Sequence, residues 1–500
     1  MSQAVIQTDA AAGAAGTLAA TPTVLHPSVL VDKAAVRAYI VAGISYFFVS
    51  LLAGALYSLQ FLQAYPFPGV ELMSPGRIRM LHTNSVAYGF LVNVFFGCLH
   101  WVIPRLTGSP VLSKKISWFV FFAWQAITFA AFAGIVGGEG QAVEWGETPT
   151  WIDPVVLVGA AVAIVNFAWP ILKSGAGAGR GASGKSMYVT LWYYSAAFVW
   201  LALVYFMGNF IPQYWVPGAA GAATVGIFIH DLVGLFVTPM GWGLMYYLVP
   251  VITKKPIWSH SLSVIGFWGL AFFYPLNGIH HFFYSPIPMY AQYGAVISTI
   301  AVEIVVFTVI VNFFMSLRGR GDLLRSNLSL RWLYTGMVFY FTTCLQCAFH
   351  TTLTLQKIIH FTDWVVGHAH LVMFGVFGFW LFGAIHYLWP RVTGRQWVSP
   401  KLNAWHYWVN TLALLVMFVD LLAAGVVQGW LWSTLAPWEQ SLIASVPFWW
   451  VRSIAGIAIV AAQAILAYHM WITARSGAAL EERTAAASPV VARVGAEGES

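Results

Sequence analysis

Long apolar runs recur along the whole chain and limit the folds open to it more than any other feature. Twelve runs reach about 20 residues or more, the length that crosses a bilayer as a helix. They lie approximately at 38–63, 78–104, 116–137, 152–173, 188–211, 221–250, 258–284, 289–316, 331–356, 362–390, 402–428 and 449–473. Within each run the apolar residues are continuous rather than alternating, which favours helices over an outer-membrane barrel. Since 59% of the residues are hydrophobic and only 8% are charged, the sequence predicts an all-α integral membrane protein with about twelve transmembrane helices.

The basic residues predict the orientation of these helices. Of the 24 Lys and Arg residues, twenty lie in the two tails and in alternate loops. Four lie on the opposite side of the predicted membrane, namely Arg77, Arg79, Lys357 and Arg452. The positive-inside rule therefore predicts that both termini are cytoplasmic. The net charge of +7 reflects this asymmetry. Because the basic residues are spread over short loops, they do not predict a nucleic-acid partner, and the predicted partner of the apolar helices is the lipid bilayer.

Six of the fourteen histidines are predicted to lie at one depth in the membrane. These six are His82, His230, His280, His281, His368 and His370. They belong to four predicted helices and fall within a layer on the order of 10 Å thick, in the outer half of the bilayer. A single buried histidine is most simply a packed side chain, but six at one depth indicate function, because polar groups in lipid are costly. Imidazole is also the commonest metal ligand among side chains.

Helix geometry predicts which of these histidines can bind the same metal ion and which cannot. His368 and His370, in the stretch GHAH, are two positions apart and point about 200° apart on an α-helix, so each can bind a different metal. His280 and His281 are about 100° apart and can reach a single ion, for which His230 supplies a third ligand. His82 pairs with one member of the GHAH stretch, and the other member binds alone. A bis-histidine haem, a mono-histidine haem and a three-histidine copper satisfy this count.

Four motifs around these histidines resemble a known family. They are GRIRMLHTNSVAYGF, IHDLVGLFVTPMGWGLMYYLVP, FFYPLNGIHHFFYSPIPMYAQ and HFTDWVVGHAHLVMFG. The chain resembles subunit I of the haem-copper oxygen reductases, and most closely the catalytic subunit of the cbb-type (C-family) cytochrome c oxidases. The resemblance covers residues 35–475, the predicted catalytic domain. The Ala-rich segments at 1–34 and 476–500 are expected to be flexible cytoplasmic tails. The resemblance also implies location in the bacterial inner membrane as a multi-pass protein.

The resemblance implies a role for each of the six histidines. Low-spin haem b is held by His82 and His370, high-spin haem b by His368, and copper by His230, His280 and His281. Dioxygen is then reduced to water with electrons from cytochrome c and protons from the cytoplasm. No CxxCH is present, so the electrons are expected to arrive through separate, membrane-anchored c-type cytochrome subunits. A calcium ion is a further cofactor that the resemblance allows.

A tyrosine completes the predicted catalytic site. In C-family oxidases an active-site tyrosine precedes the histidine pair as Tyr-x-x-x-x-x-His-His, and the stretch YPLNGIHH places Tyr274 in that position. On an α-helix Tyr274 and His281 would share a face about 10 Å apart along the axis. The resemblance implies that Tyr274 gives an electron and a proton to oxygen and is covalently linked to His230. In isolation, Tyr274 would be interpreted as an ordinary packed tyrosine.

Further residues have two interpretations each. Ser263 and Tyr340 resemble members of the family's proton channel, although such hydroxyls also occur in membrane helices without function. Arg79, Arg452 and His360 lie near the predicted haem depth, where they either contact haem propionates or anchor the membrane interface. No role is predicted for three intramembrane acids, Asp231, Glu303 and Asp420.

Two rival functions are weighed against the oxidase. Nitric oxide reductases share the six histidines but bind non-haem iron with a glutamate four residues after the sixth-helix histidine, where this chain has Gly234, and they lack the tyrosine. Two departures favour the rival, namely Gln346 in place of the usual glutamate of the ninth helix and His350 in place of an apolar residue. The other rival, a proton-coupled transporter, should show helices broken by Gly and Pro at mid-membrane, and none is seen. The haem colour of the purified protein would distinguish an oxidase or a reductase from a transporter. The presence of copper rather than non-haem iron would then distinguish the oxidase from the nitric oxide reductase.

Overall fold

The computed structural model describes residues 30–174 and 187–480, and these form a bundle of twelve long helices. The helices are α1 Lys33–Leu62, α2 Pro75–Thr107, α3 Lys114–Gly137, α4 Ile152–Lys173, α5 Val189–Trp215, α6 Gly218–Thr253, α7 His260–Phe282, α8 Met289–Ser316, α9 Leu328–His350, α10 Asp363–Thr393, α11 Pro400–Ser433 and α12 Trp438–Ser476. Short helices occur at Glu71–Met73, Asp322–Ser326 and Leu353–Ile359. The described residues contain one isolated β-bridge, between Arg395 and Ala479, and no strand. The predicted all-α membrane architecture is confirmed.

Eleven of these helices are long and apolar enough to cross a membrane. The remaining one, α9, has 23 residues but is more polar, because it carries threonines, Gln346 and His350 among its apolar side chains. It nevertheless packs between the other helices, against α8 and α10. Most of the tails predicted at 1–34 and 476–500 lie outside the described residues, and so do Arg180 and Lys185, which are predicted to be cytoplasmic. The orientation of the termini stays a prediction.

The sequence specifies where many helices begin and end. The side chains of Ser113, Ser259 and Asn327 accept hydrogen bonds from backbone N–H groups in the first turns of α3, α7 and α9, which satisfies donors that have no partner inside the helix. Gly108 and Gly394 follow α2 and α10 in the left-handed conformation that commonly ends a helix. These local signals account for the ends of these helices.

Three helices form the centre of the bundle. In their most apolar windows, α10 is 94%, α2 is 89% and α6 is 61% buried, more than any other helix that can span the membrane. Each contains a π-helical segment just after a predicted metal ligand, at Ser85–Leu91, Leu232–Val237 and Leu371–Gly378. Such segments insert an extra residue into a helical turn and occur frequently at functional sites. Four of the six predicted ligands, namely His82, His230, His368 and His370, therefore lie on the three most buried helices.

Candidate metal centres

Three histidines from α6 and α7 converge on one point. The Nδ1 atom of His230 lies 3.2 Å from Nε2 of His280 and 3.2 Å from Nε2 of His281, and one ring nitrogen from each lies within 4.8 Å of the others. Nitrogens bound to one ion at about 2.0 Å are separated by roughly 3.3 Å in tetrahedral geometry. The spacing therefore fits a single metal ion held by all three imidazoles.

A threonine on α8 fixes the orientation of one member of this triad. The Oγ1 of Thr299 donates to the backbone oxygen of Ala295, at 2.7 Å, and so can accept a hydrogen bond from Nδ1 of His280, at 2.9 Å. His280 is then protonated on Nδ1, and its Nε2 is free to bind metal. Thr299 was not predicted, because nothing in the sequence distinguishes it from the many threonines whose hydroxyls donate to a backbone oxygen of their own helix.

Tyr274 lies directly on the triad. Its ring stacks on His230, with centroids 4.7 Å apart and planes within 10°. The close approach depends on Gly234, where a Cβ atom would lie only 1.6 Å from Cε1 of Tyr274. Any side chain at position 234 would therefore occupy the space of the tyrosine ring.

The segment that carries Tyr274 differs from the predicted α-helix. Tyr274–Phe282 is a 3₁₀-helix, with Pro275 in its first turn. With three residues per turn and about 2.0 Å of rise per residue, Tyr274 shares a face with His280 rather than with His281, about 12 Å away along the axis. The tyrosine reaches the triad through His230 on the neighbouring helix, and not by lying above His281 as α-helical spacing predicted.

His82 on α2 and His370 on α10 face each other. Their ring centroids are 6.1 Å apart, close to the roughly 6 Å expected for two imidazoles that bind one metal from opposite sides with bonds of about 2 Å. Nδ1 of His82 donates to the backbone oxygen of Ser50 at 2.7 Å, and Nδ1 of His370 donates to that of Val366 at 2.8 Å. In both rings Nε2 is therefore the nitrogen available to a metal.

His368 faces a different helix from His370. Its Nδ1 donates to Oε1 of Gln346 on α9 at 2.8 Å, and its Nε2, at 3.6 Å from the sulfur of Cys347, remains available to a metal. The ring of His350 lies 4.5 Å from that of His368, centroid to centroid. The two departures from the family pattern, Gln346 and His350, thus both contact this histidine. The amide at position 346 keeps a hydrogen-bond acceptor where the family usually has a carboxylate.

A buried arginine lies beside the His82–His370 pair. Arg452 on α12 is only 8% exposed; its Nη1 lies 3.6 Å from Oδ1 of Asp363, and its guanidinium covers the ring of Phe61. Its charge interacts with His370. Among the described residues, its Nε and Nη2 atoms have no hydrogen-bond partner. Two unsatisfied cationic donors fit an anionic group such as a haem propionate.

Arg79 and His360, the other two residues predicted to contact propionates, each have a side-chain partner in the structure. Nη2 of Arg79 lies 3.5 Å from Oε1 of Glu147, and the other carboxylate oxygen, Oε2, accepts a hydrogen bond from Asn84 at 2.8 Å. Burial raises the pKa of Glu147, while Asn84 and Arg79 oppose this shift. Nδ1 of His360 is hydrogen-bonded to Oε1 of Gln356 at 2.8 Å, and His360 is close enough to His281 for their charges to interact. Burial lowers the pKa of His360.

The two residues of the predicted proton channel are both buried, and among the described residues no hydrogen bond joins them. Ser263 on α7 donates to the backbone oxygen of His260 at 2.6 Å. Tyr340 on α9 packs against Trp242 and Trp380, and its hydroxyl is close to the thiol of Cys344. Within 30–174 and 187–480, no hydrogen bond joins Ser263 or Tyr340 to Tyr274.

Comparison with known proteins identifies relatives over most of the chain. Residues 34–458 match the family described as "Cytochrome C and Quinol oxidase polypeptide I". The "Cbb3-type cytochrome c oxidase subunit CcoN1" of Stutzerimonas stutzeri is 28% identical over 85% of this chain and 91% of that protein. The "Cytochrome c oxidase subunit 1" of Rhodobacter capsulatus is 26% identical over 88% of this chain and 85% of that protein.

Two further matches bear on the fold and on the rival function. The structure resembles that of a heme-copper terminal oxidase dimer determined by cryo-EM, with a TM-score of 0.75 over 92% of this chain and 89% of that chain; at 14% identity, this shows a shared fold. A nitric oxide reductase polypeptide of Stutzerimonas stutzeri is 23% identical over 85% of this chain and 92% of that protein. It is less similar than the two oxidase subunits.

Proposed function

Because the chain belongs to the cytochrome c and quinol oxidase polypeptide I family, as its motifs predicted, we propose that it is the catalytic subunit of a cbb-type cytochrome c oxidase that reduces dioxygen to water. Relatives named as cytochrome c oxidase subunits over 85% or more of this chain support the proposal. The chain is a multi-pass membrane protein, and the proposed location is the bacterial inner membrane with both termini in the cytoplasm. The transporter alternative is set aside, since the family is one of oxidases.

Family membership implies haem and copper, and the histidine geometry supports a specific assignment. His82 and His370 would hold low-spin haem b, His368 would hold high-spin haem b, and His230, His280 and His281 would hold copper. Bound there, these groups would supply the electrons and the metal ions at which dioxygen is reduced. Arg452 would neutralise a propionate with its two free nitrogens. No ligands are assigned to the predicted calcium ion.

The residues of the chain would prepare this centre. Thr299 holds His280 in the tautomer that offers Nε2, and Gln346 does the same for His368, which spares both rings from reorienting when metal binds. Tyr274 presents a phenol on the face of His230, where it would give a proton and an electron to the oxygen substrate. The surrounding buried helices exclude water, which strengthens these interactions.

One observation carries the choice of oxidase over nitric oxide reductase. The ring of Tyr274 fills the space beside Gly234, so that even a Cβ there would overlap it. A glutamate ligand at position 234, as expected for a nitric oxide reductase, is incompatible with Tyr274 in this position. The site therefore favours three nitrogen ligands and a phenol, a set that suits copper.

Electrons would have to come from other polypeptides. The sequence has no CxxCH, and the Stutzerimonas oxidase relative is by name one subunit of a cbb3-type oxidase. We therefore propose membrane-anchored c-type cytochromes as partner subunits of the complex.

The proposal is tested by metal analysis and by turnover of the purified complex. We expect haem and copper in the preparation, oxygen consumption with reduced cytochrome c, and little turnover of nitric oxide. A Tyr274→Phe variant should keep haem and copper but lose roughly 100-fold or more of its oxygen turnover, the usual effect of removing a positioned proton donor.

Tyr194→Phe is the matched control, since Tyr194 is a buried tyrosine whose hydroxyl has no partner among the described residues. It should leave turnover unchanged. Non-haem iron with rapid nitric oxide turnover would instead identify the reductase, and normal oxygen turnover by Tyr274→Phe would refute the role of the phenol.

A further inference from the structure

A carboxylic acid without an assigned role lies in the middle of the membrane. Glu303 is near the centre of α8, a helix of 28 residues. One of its carboxylate oxygens, Oε2, is buried and has no hydrogen-bond partner in the part of the chain that the structure describes. An ionisable group at this depth is costly and in membrane proteins usually serves function.

The neighbouring turn of α8 connects Glu303 to the candidate copper site. Thr299 accepts a hydrogen bond from the copper-ligand candidate His280, and Glu303 follows it by four residues. Residues four apart lie on the same face of an α-helix, about one turn or roughly 6 Å apart along the axis. Glu303 is thus displaced by one turn from the metal site, towards the end of α8 that leads into the basic loop with Arg318 and Arg320.

The side chains near Glu303 on α9 and in the segment Tyr274–Phe282 include hydroxyl and thiol groups that can carry protons. Its carboxylate is close enough to Tyr340 and Cys344 on α9, and to Tyr274, for its charge to interact with each of them. The hydroxyl of Tyr340 in turn lies next to the thiol of Cys344. α8 packs against both α9 and the segment Tyr274–Phe282. Glu303 is therefore near both the predicted proton-channel residue Tyr340 and Tyr274 of the catalytic site.

We propose that Glu303 is the proton-relay residue through which protons from the side of Tyr340 and Cys344 enter the oxygen-reduction site. The inference rests on the proposed oxidase function. In each transfer the O–H bond of the Glu303 carboxyl breaks, and an O–H bond of the product water forms. The carboxylate then regains a proton from the cytoplasmic side, and no electron moves through Glu303. This role accounts for a carboxyl group with an unpaired oxygen, because a relay must be free to form and break its hydrogen bonds.

The test uses the purified, haem-loaded complex with Glu303→Gln and Glu303→Asp. Proton uptake from a pH-indicator dye is followed during a single turnover with oxygen, together with haem spectra, copper content and reduction of the haems by cytochrome c without oxygen. We expect Glu303→Gln to slow proton uptake and turnover roughly 100-fold, the scale of general acid–base catalysis. Haem spectra, copper content and anaerobic haem reduction should stay as in the unmodified complex. Glu303→Asp, which keeps an acid, should recover much of the rate.

Asp420→Asn serves as the matched control, because Asp420 is a second intramembrane acid with an unpartnered oxygen among the described residues but lies on α11, near Arg452. Its proton uptake should match that of the unmodified complex. Unchanged proton uptake in Glu303→Gln would overturn the inference, and so would loss of haem or copper in that variant, which would assign Glu303 a structural role. Absence of oxygen reduction in the unmodified complex would refute the proposed function itself, which is a separate result.

Discussion

Replacing Gly234 by alanine tests whether the space for Tyr274 is as narrow as the structure indicates. The new Cβ atom would lie 1.6 Å from Cε1 of Tyr274, whereas ordinary carbon contacts begin at 3.4 Å. The ring or the helix must therefore move by about 1.8 Å, the difference between these two distances. The motion separates the phenol from His230, on which it now stacks.

The expected loss of activity follows from this displacement. A misplacement of about 1 Å at a reacting group can cost about 100-fold in rate, so Gly234→Ala should lower oxygen turnover at least that much. Overpacking of a buried site also costs about 1–3 kcal/mol of stability. Haem and copper content should be retained, because the alanine methyl contacts the tyrosine and not the ligand nitrogens.

Oxygen consumption by the purified complex, normalised to haem content, measures the effect. Gly243→Ala is the matched control on the same helix, since its Cβ would crowd another tyrosine, Tyr194, at 2.6 Å, far from any predicted ligand. That variant should lose stability but keep its turnover per haem. If Gly234→Ala turned over oxygen at the normal rate with its haems in place, the claimed overlap with Tyr274 would be incorrect.

Two further variants test the groups around the ligands. Thr299→Val removes the acceptor for Nδ1 of His280 and should weaken copper binding by about 10- to 100-fold without loss of haem; copper-to-haem ratios after dialysis against a chelator measure this, and an unchanged ratio would contradict the role of Thr299. Arg452→Ala removes a buried positive charge beside the His82–His370 pair and should lower the midpoint potential of the low-spin haem by tens of millivolts, since a positive charge stabilises the reduced form. Spectroscopic redox titration measures that shift, and a potential equal to that of the unmodified complex would exclude a propionate contact.

The sequence predicted the membrane helices closely, because apolar length is a direct requirement of the bilayer. The predicted runs 152–173 and 289–316 coincide with α4 and α8. The prediction failed where polar residues continue a helix or interrupt a run. α12 begins at Trp438 rather than near 449, because Glu439 and Gln440 mask its first turns, and the run 331–356 divides at His350 into α9 and the short helix Leu353–Ile359.

The candidate ligands could also be predicted from the sequence, because histidines are rare in long apolar runs and usually have a function there. Their supporting groups could not be predicted. Thr299 and the backbone oxygens of Ser50 and Val366 have no distinguishing pattern, and they gain meaning only when a histidine from elsewhere in the chain reaches them. The 3₁₀ geometry of Tyr274–Phe282 was equally invisible, since the spacing of Tyr274 from the histidines gives different faces in different kinds of helix.

The π-helical segments that follow the candidate ligands limit the insertions and deletions that related genes can tolerate. Each residue of an α-helix turns the chain by about 100°. Deleting one codon within Leu371–Gly378 would allow the wider turn to tighten into ordinary α geometry, and His368 and His370 would then rotate by about a quarter turn relative to the part of α10 that follows this segment. Point substitutions in these three segments can be absorbed by repacking, but a single-codon gain or loss cannot. Natural variation there should therefore consist of exchanges at constant length.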